Sequence, residues 1–83
     1  MIYLKDFIEN YAHTRCRGDM RIADRMLGKR WNVSQRAVQS WRLLQRVPNV
    51  ETARIIVKNT KGAVSYEGIY SEYVDKWVRA ELF

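Results

Sequence analysis

Eighty-three residues, 47% hydrophobic and 29% charged, are enough for one small folded domain and too few to line a large substrate pocket. The only cysteine, Cys16, and the only histidine, His13, exclude an internal disulfide, any zinc site with two thiolates, and a histidine cluster. A net charge of +6 points to polyanionic partners; no apolar run nears the roughly 18–20 residues of a membrane span, and no signal peptide is read at the start, so a cytoplasmic protein without a membrane partner is expected.

Leu4, Phe7, Ile8 and Tyr11 fall at i, i+3, i+4 and i+7, which predicts a first amphipathic helix over residues 3–13. Gly18 allows a turn, and Asp19 is placed to cap a second helix running to about Arg30 with Met20, Ala23, Met26, Leu27 and Trp31 as its apolar set. Asn32-Val33-Ser34 is a tight connection, with Ser34 capping a third helix over 35–44. Pro48 closes that segment, because the residue before a proline is pushed out of the helical region. A fourth helix follows from Val50 or Glu51 to Thr60, although Ile55-Ile56-Val57 is also good strand material. Residues 63–66 stay open between a short strand and a loop. The last segment carries Ile69, Tyr70, Tyr73, Val74, Trp77 and Val78 at helical spacing. The chain reads as all-α, a domain of four to five helices. Residues 1–66 form the main helical part, and residues 67–83 form an amphipathic helix packed on that domain or on a second copy.

Charge is unevenly spread. Residues 1–63 hold 13 basic and 5 acidic side chains, whereas residues 64–83 carry a balance of −2. Ten of the 15 basic residues are arginine, whose planar fork suits phosphate and guanine. Nucleic acid is the partner class this favours.

The run from Asp24 to Trp41 has the spacing of a helix-turn-helix. Gly28 supplies the tiny side chain where two helices approach, and Asn32 is the best non-glycine choice for a turn residue with positive φ. Leu27, Trp31, Val33, Val38 and Trp41 lie at offsets that point into a shared core, which argues against base-stacking roles for Trp31 and Trp41. The outward side of the third helix collects Gln35, Arg36, Gln39, Ser40 and Arg42 with no acid among them. Gln bridges N6 and N7 of adenine, and Arg bridges O6 and N7 of guanine. A surface helix without such a role more usually mixes in Glu for i,i+4 pairing.

These residues, with Arg46-Val47-Pro48 and Lys61-Gly62-Ala63-Val64 downstream, resemble the Cro-type repressors of temperate phages, within the lambda-repressor-like helix-turn-helix group. Lys5-Asp6-Phe7-Ile8 is similar to their first helix, and the likeness covers roughly residues 3–66. It implies a helical domain that binds double-stranded operator DNA as a homodimer, with the third helix in the major groove and the following loop on the backbone. By position, Gln35, Arg36 and Ser40 fall on base-contacting sites, with Gln39 beside them. The basic Arg15–Arg25 stretch before the motif departs from typical members. So does Asp24, which stands where the family usually has Gln; Arg25, Lys29 or Arg30 would then supply the phosphate contact.

Phosphate contacts set position and salt dependence, and base contacts set sequence. The expected clamps are Arg21, Arg25, Lys29, Arg30, Ser34, Arg42 and Arg46; six neutralised phosphates would give a log–log salt slope of about −5. The apolar rows Ile69, Tyr73, Trp77 and Tyr70, Val74, Val78 either fold back on the domain or pair with a second copy, two readings that do not exclude each other. The reading is a sequence-specific transcriptional regulator, a Cro-like repressor. Rivals within DNA binding are an excisionase, an architectural factor or a terminase small subunit; outside it, an antitoxin or inhibitor acting as a protein-interaction module. No enzyme, cofactor, metal or small-molecule ligand is expected: the acids show no catalytic spacing and no glycine loop could cradle a phosphate.

Overall fold

A computed structural model describes the backbone of residues 2–82 and the side chains up to residue 76; among the described residues the architecture is all-helical, with no strand. Five helices follow in order: α1 Leu4–Arg15, α2 Met20–Trp31, α3 Gln35–Arg42, α4 Val50–Asn59 and α5 Tyr66–Leu82. Each break has a local cause. After α1, the amides of Cys16 and Gly18 both donate to the Ala12 carbonyl, with Gly18 at φ 82°. The Asp19 carboxylate then accepts the Arg21 and Ile22 amides at 3.0 and 3.2 Å, starting α2. Asn32 ends α2 in the left-handed region at φ 58°, and the Val33 amide returns to the Gly28 carbonyl at 2.8 Å. Ser34 Oγ accepts the Ala37 amide at 3.1 Å and opens α3; Asn49 Oδ1 does the same for Thr52 at 2.8 Å, opening α4.

The helices close around one main cluster: Leu4 and Ile8 of α1, Leu27 and Trp31 of α2, Val38 and Trp41 of α3, Ala53 and Ile56 of α4, then Val64 and Ile69. Burying side chains of this size is worth roughly 1.5–3 kcal/mol each, so the cluster dominates the favourable side of folding. Phe7, Trp31 and Trp41 form a tilted aromatic row with centroids 6.1 and 6.5 Å apart. Trp31 and Trp41 are thus core residues. Gly28 lies where α2 meets the start of α3: a Cβ there would sit 2.8 Å from the Val33 carbonyl oxygen, too close for any other residue without a backbone shift.

Two open choices close, and two expectations change. Residues 63–66 form no strand; the Val64 amide bonds Thr60 Oγ1 at 3.2 Å and α5 begins at Tyr66. The segment 50–60 is helical despite its β-branched run, because Ala53 and Ile56 share the buried face. α3 stops at Arg42 rather than 44, since Leu44 takes φ 57° and turns the chain. Met26, expected in the apolar set, is 41% exposed, its Sδ 3.9 Å from Cys16 Sγ.

Helix α5 docks on its own domain. Ile69 joins the main core, the Tyr70 hydroxyl donates to the Pro48 carbonyl at 2.9 Å, and Lys76 Nζ donates to the Leu44 carbonyl at 3.3 Å. Gly68 passes so close to the Ile2 carbonyl that no side chain would fit between them. Tyr73 is half-buried beside Trp41 and Val47, while Val74 is exposed; the side chains of Trp77 and Val78, expected in the same packing, lie outside the described residues.

Candidate nucleic-acid interface

The sharp turn at Asn32 and the close approach at Gly28 orient α3 so that Val38 and Trp41 are buried and the opposite side faces out. Gln35, Arg36 and Gln39 are exposed on that side, and Ser40 is half-buried with its hydroxyl donated to the Ala37 carbonyl at 2.7 Å. Successive residues of an α-helix are about 100° apart. By that spacing Gln35, Arg36 and Gln39 share one sector, and Leu43, exposed just past the helix end, continues it. An aliphatic group there can pack on a thymine methyl in a major groove.

Open grooves flank α3 on both sides. One is lined by Ser34, Arg36, Ala37, Ser40, Gln45 and Arg46. The left-handed Leu44 bends the chain back, and the Gln45 and Arg46 amides both donate to the Ser40 carbonyl, at 2.9 and 3.3 Å, which sets these two side chains beside the outward face. The other groove brings Gln35 together with Arg21 and Arg25 from the first half of α2. Helix α3 therefore lies between Arg21 and Arg25 of α2, where Asp19 also lines the groove, and Arg46 of the turn that follows it.

Two predicted clamps are elsewhere. Arg42 does not face out: its Nε and Nη2 donate to Asp24 Oδ1 and Oδ2 at 3.2 and 2.9 Å. Asp24 is only 1% exposed and the Arg42 side chain 14%, so this fork-to-carboxylate pair is an internal brace between α2 and α3. Arg30 follows Arg21 by nine positions, about two and a half turns at 3.6 residues per turn, so it leaves α2 on the opposite side. It lines a groove with α1 and the end of α4 instead. Lys29 is exposed on α2 between these two directions, and Ser34 Oγ serves as the α3 cap. Arg21, Arg25 and Arg46 remain beside α3.

Gln45 and Leu43 are the members of this face that sequence reasoning missed. Nothing in composition marks Leu44 as left-handed, a region usually left to Gly, Asn or Asp, so the return of Gln45 to α3 has no sequence signal. Leu43, the C-cap of α3, could have been found by continuing the 100° spacing one step past Arg42.

The acidic end lies on α5. Glu72 is half-buried there and its Oε2 is shielded without a hydrogen-bond partner. Burial, then the nearby Asp6 carboxylate, raises its pKa above the ordinary 4.5; Lys5 opposes this, and Glu9 and Asp75 add to it. Burial also raises the Tyr70 phenol, with Tyr66 adding to it. Among the described residues no three His, Cys, Asp or Glu side chains gather where a metal could be held, and no helix is long and apolar enough to cross a membrane.

The class defined by this geometry is a small five-helix domain with a helix-turn-helix across α2 and α3. Comparison of the chain with protein-family models, with curated proteins and with solved structures finds no match to any of them.

Proposed function

We propose that this protein is a sequence-specific regulator of transcription that binds double-stranded DNA, a Cro-like repressor that lays α3 in the major groove. The observation that carries the reading is the outward face of α3: two amides and a guanidinium (Gln35, Gln39, Arg36), exposed, with no acid on that face, Arg21 and Arg25 on one side and Arg46 on the other. Bidentate Gln–adenine or Arg–guanine pairs discriminate by about 1–3 kcal/mol each, and Gln35, Arg36 and Gln39 would make them; Ser40, its proton donated to the Ala37 carbonyl, could only accept a bond from a base. Arg21, Arg25, Lys29 and Arg46 hold the backbone. With Arg42 and Arg30 removed from the set, four cations predict a log–log salt slope of about −3.6 instead of −5.

In this reading two copies occupy successive major grooves about 34 Å apart and block polymerase in the cytoplasm of a bacterial or phage-infected cell. Ile69 and Tyr70 are used within the chain, so pairing would draw on what α5 leaves exposed, such as Val74. Selection of bound sites from a random duplex library tests the proposal. A palindromic consensus, with Gln39→Ala or Arg36→Ala changing the preferred bases and Arg46→Ala weakening all sequences alike, is the expected result. Enrichment of no sequence over random duplex would refute it.

A further inference from the structure

The groove between α1, the end of α2 and the end of α4 is a second cationic surface, separate from α3. Arg15, Arg30 and Lys61 line it together with the Phe7 and Tyr11 rings and four neutral polar residues, Asn10 and Asn59 among them, and among the described residues no acid does. No residue of α3 reaches it. Its walls are held in place from behind. The Arg15 guanidinium lies 5.7 Å from the centre of the Tyr11 ring, a cation–π distance. The buried Trp31 indole donates to Asn59 Oδ1 at 3.0 Å. An indole N–H can only donate, so the Asn59 oxygen is committed to it and the amide –NH2 is left for an acceptor.

We infer that this groove binds a second segment of nucleic-acid backbone through its phosphates. Arg, Lys and Asn are side chains that contact phosphate oxygens without reading bases; the Thr14 hydroxyl is already donated to the Asn10 carbonyl at 2.9 Å. A protein partner would instead want a charge-depleted centre, whereas three cations surround the Phe7 and Tyr11 rings here with no acid to offset them. Because Arg21 and Arg30 leave α2 in opposite directions, a duplex lying on α3 does not reach the groove, and the second segment is held independently of the first. The inference stands whether or not α3 reads sequence.

The Trp31 indole N–H is a built-in reporter, since it bonds a residue of the groove wall. In a ¹⁵N NMR titration of the full chain with a 12-base-pair duplex of random sequence, the Trp31 indole and the Asn10 and Asn59 side-chain amides should shift. Three neutralised phosphates give their apparent affinity a log–log salt slope of about −3. A variant with Arg15→Gln, Arg30→Gln and Lys61→Gln should keep the wild-type spectral dispersion and lose these shifts, with affinity at the groove at least ~10-fold weaker. A variant with Gln35→Ala, Arg36→Ala and Gln39→Ala should keep them. The inference is overturned if the reporters stay still in the wild type, if they still shift in the triple Gln variant, or if the α3 variant abolishes them. It is also overturned if poly-glutamate moves them at lower concentration than the duplex, which would assign the groove to an acidic protein. Shifts confined to the groove, with none on α3, would leave this inference standing and remove the α3 reading.

Discussion

Replacing Arg42 by Met should destabilise the fold rather than simply weaken DNA binding. The substitution keeps most of the side-chain volume and deletes the fork that satisfies both oxygens of Asp24, which is 1% exposed. Stranding a buried charge in this way costs about 3–5 kcal/mol. Arg42 keeps 14% exposure, so water can reach part of the vacated site and the lower end, about 3 kcal/mol, is expected. For a domain of this size that corresponds to a fall in Tm of roughly 12–24 °C. Urea unfolding at pH 7, followed by tryptophan fluorescence and far-UV circular dichroism, measures it directly. The double variant Asp24→Leu with Arg42→Met should recover most of the loss, because two apolar groups of similar size need no partner. If Arg42→Met stays within about 0.5 kcal/mol of the wild type, a surface-level effect, while duplex binding collapses, Arg42 is a phosphate clamp and the brace is wrong.

Gly28→Ala gains about 1 kcal/mol of helix propensity but drives a methyl against the Val33 carbonyl and the start of α3, where overpacking costs 1–3 kcal/mol. Because the neighbours are backbone, a net loss of about 1–2 kcal/mol is expected in the same urea assay, and an unchanged or higher midpoint would contradict the close approach. Ser34→Ala removes the cap on the Ala37 amide and should cost about 1 kcal/mol; native-state hydrogen exchange should then show faster opening at the first turn of α3. Glu72 has its folded pKa raised by burial, so the folded state binds its proton more tightly than the unfolded chain does. Its contribution is fully present below the ordinary value of 4.5 and is lost as pH rises through the raised pKa. Glu72→Gln should therefore raise Tm at pH 7 and lose that advantage at pH 3.5, and an equal shift at both pH values would contradict this account.

Helix positions, caps and the helix-turn-helix were legible in the residues because each depends on near neighbours. Asp19 and Ser34 cap amides two or three positions on, Asn32 takes its own left-handed turn, and the 3.6-residue period marks Leu4, Ile8 and Val38 as buried. The outward face of α3 follows from the same period. Periodicity says which side of a helix is turned inward, but not what stands opposite. That was left to tertiary packing: it brought Asp24 against Arg42 across 18 positions, turned the Leu44 backbone so that Gln45 meets α3, and set Arg30 toward α1. The same packing, through Ile69 and Tyr70, drew α5 onto its own domain. A charge free on an isolated helix becomes a structural partner or a surface group only once a second helix arrives, and that is settled by three-dimensional approach between segments distant in the chain.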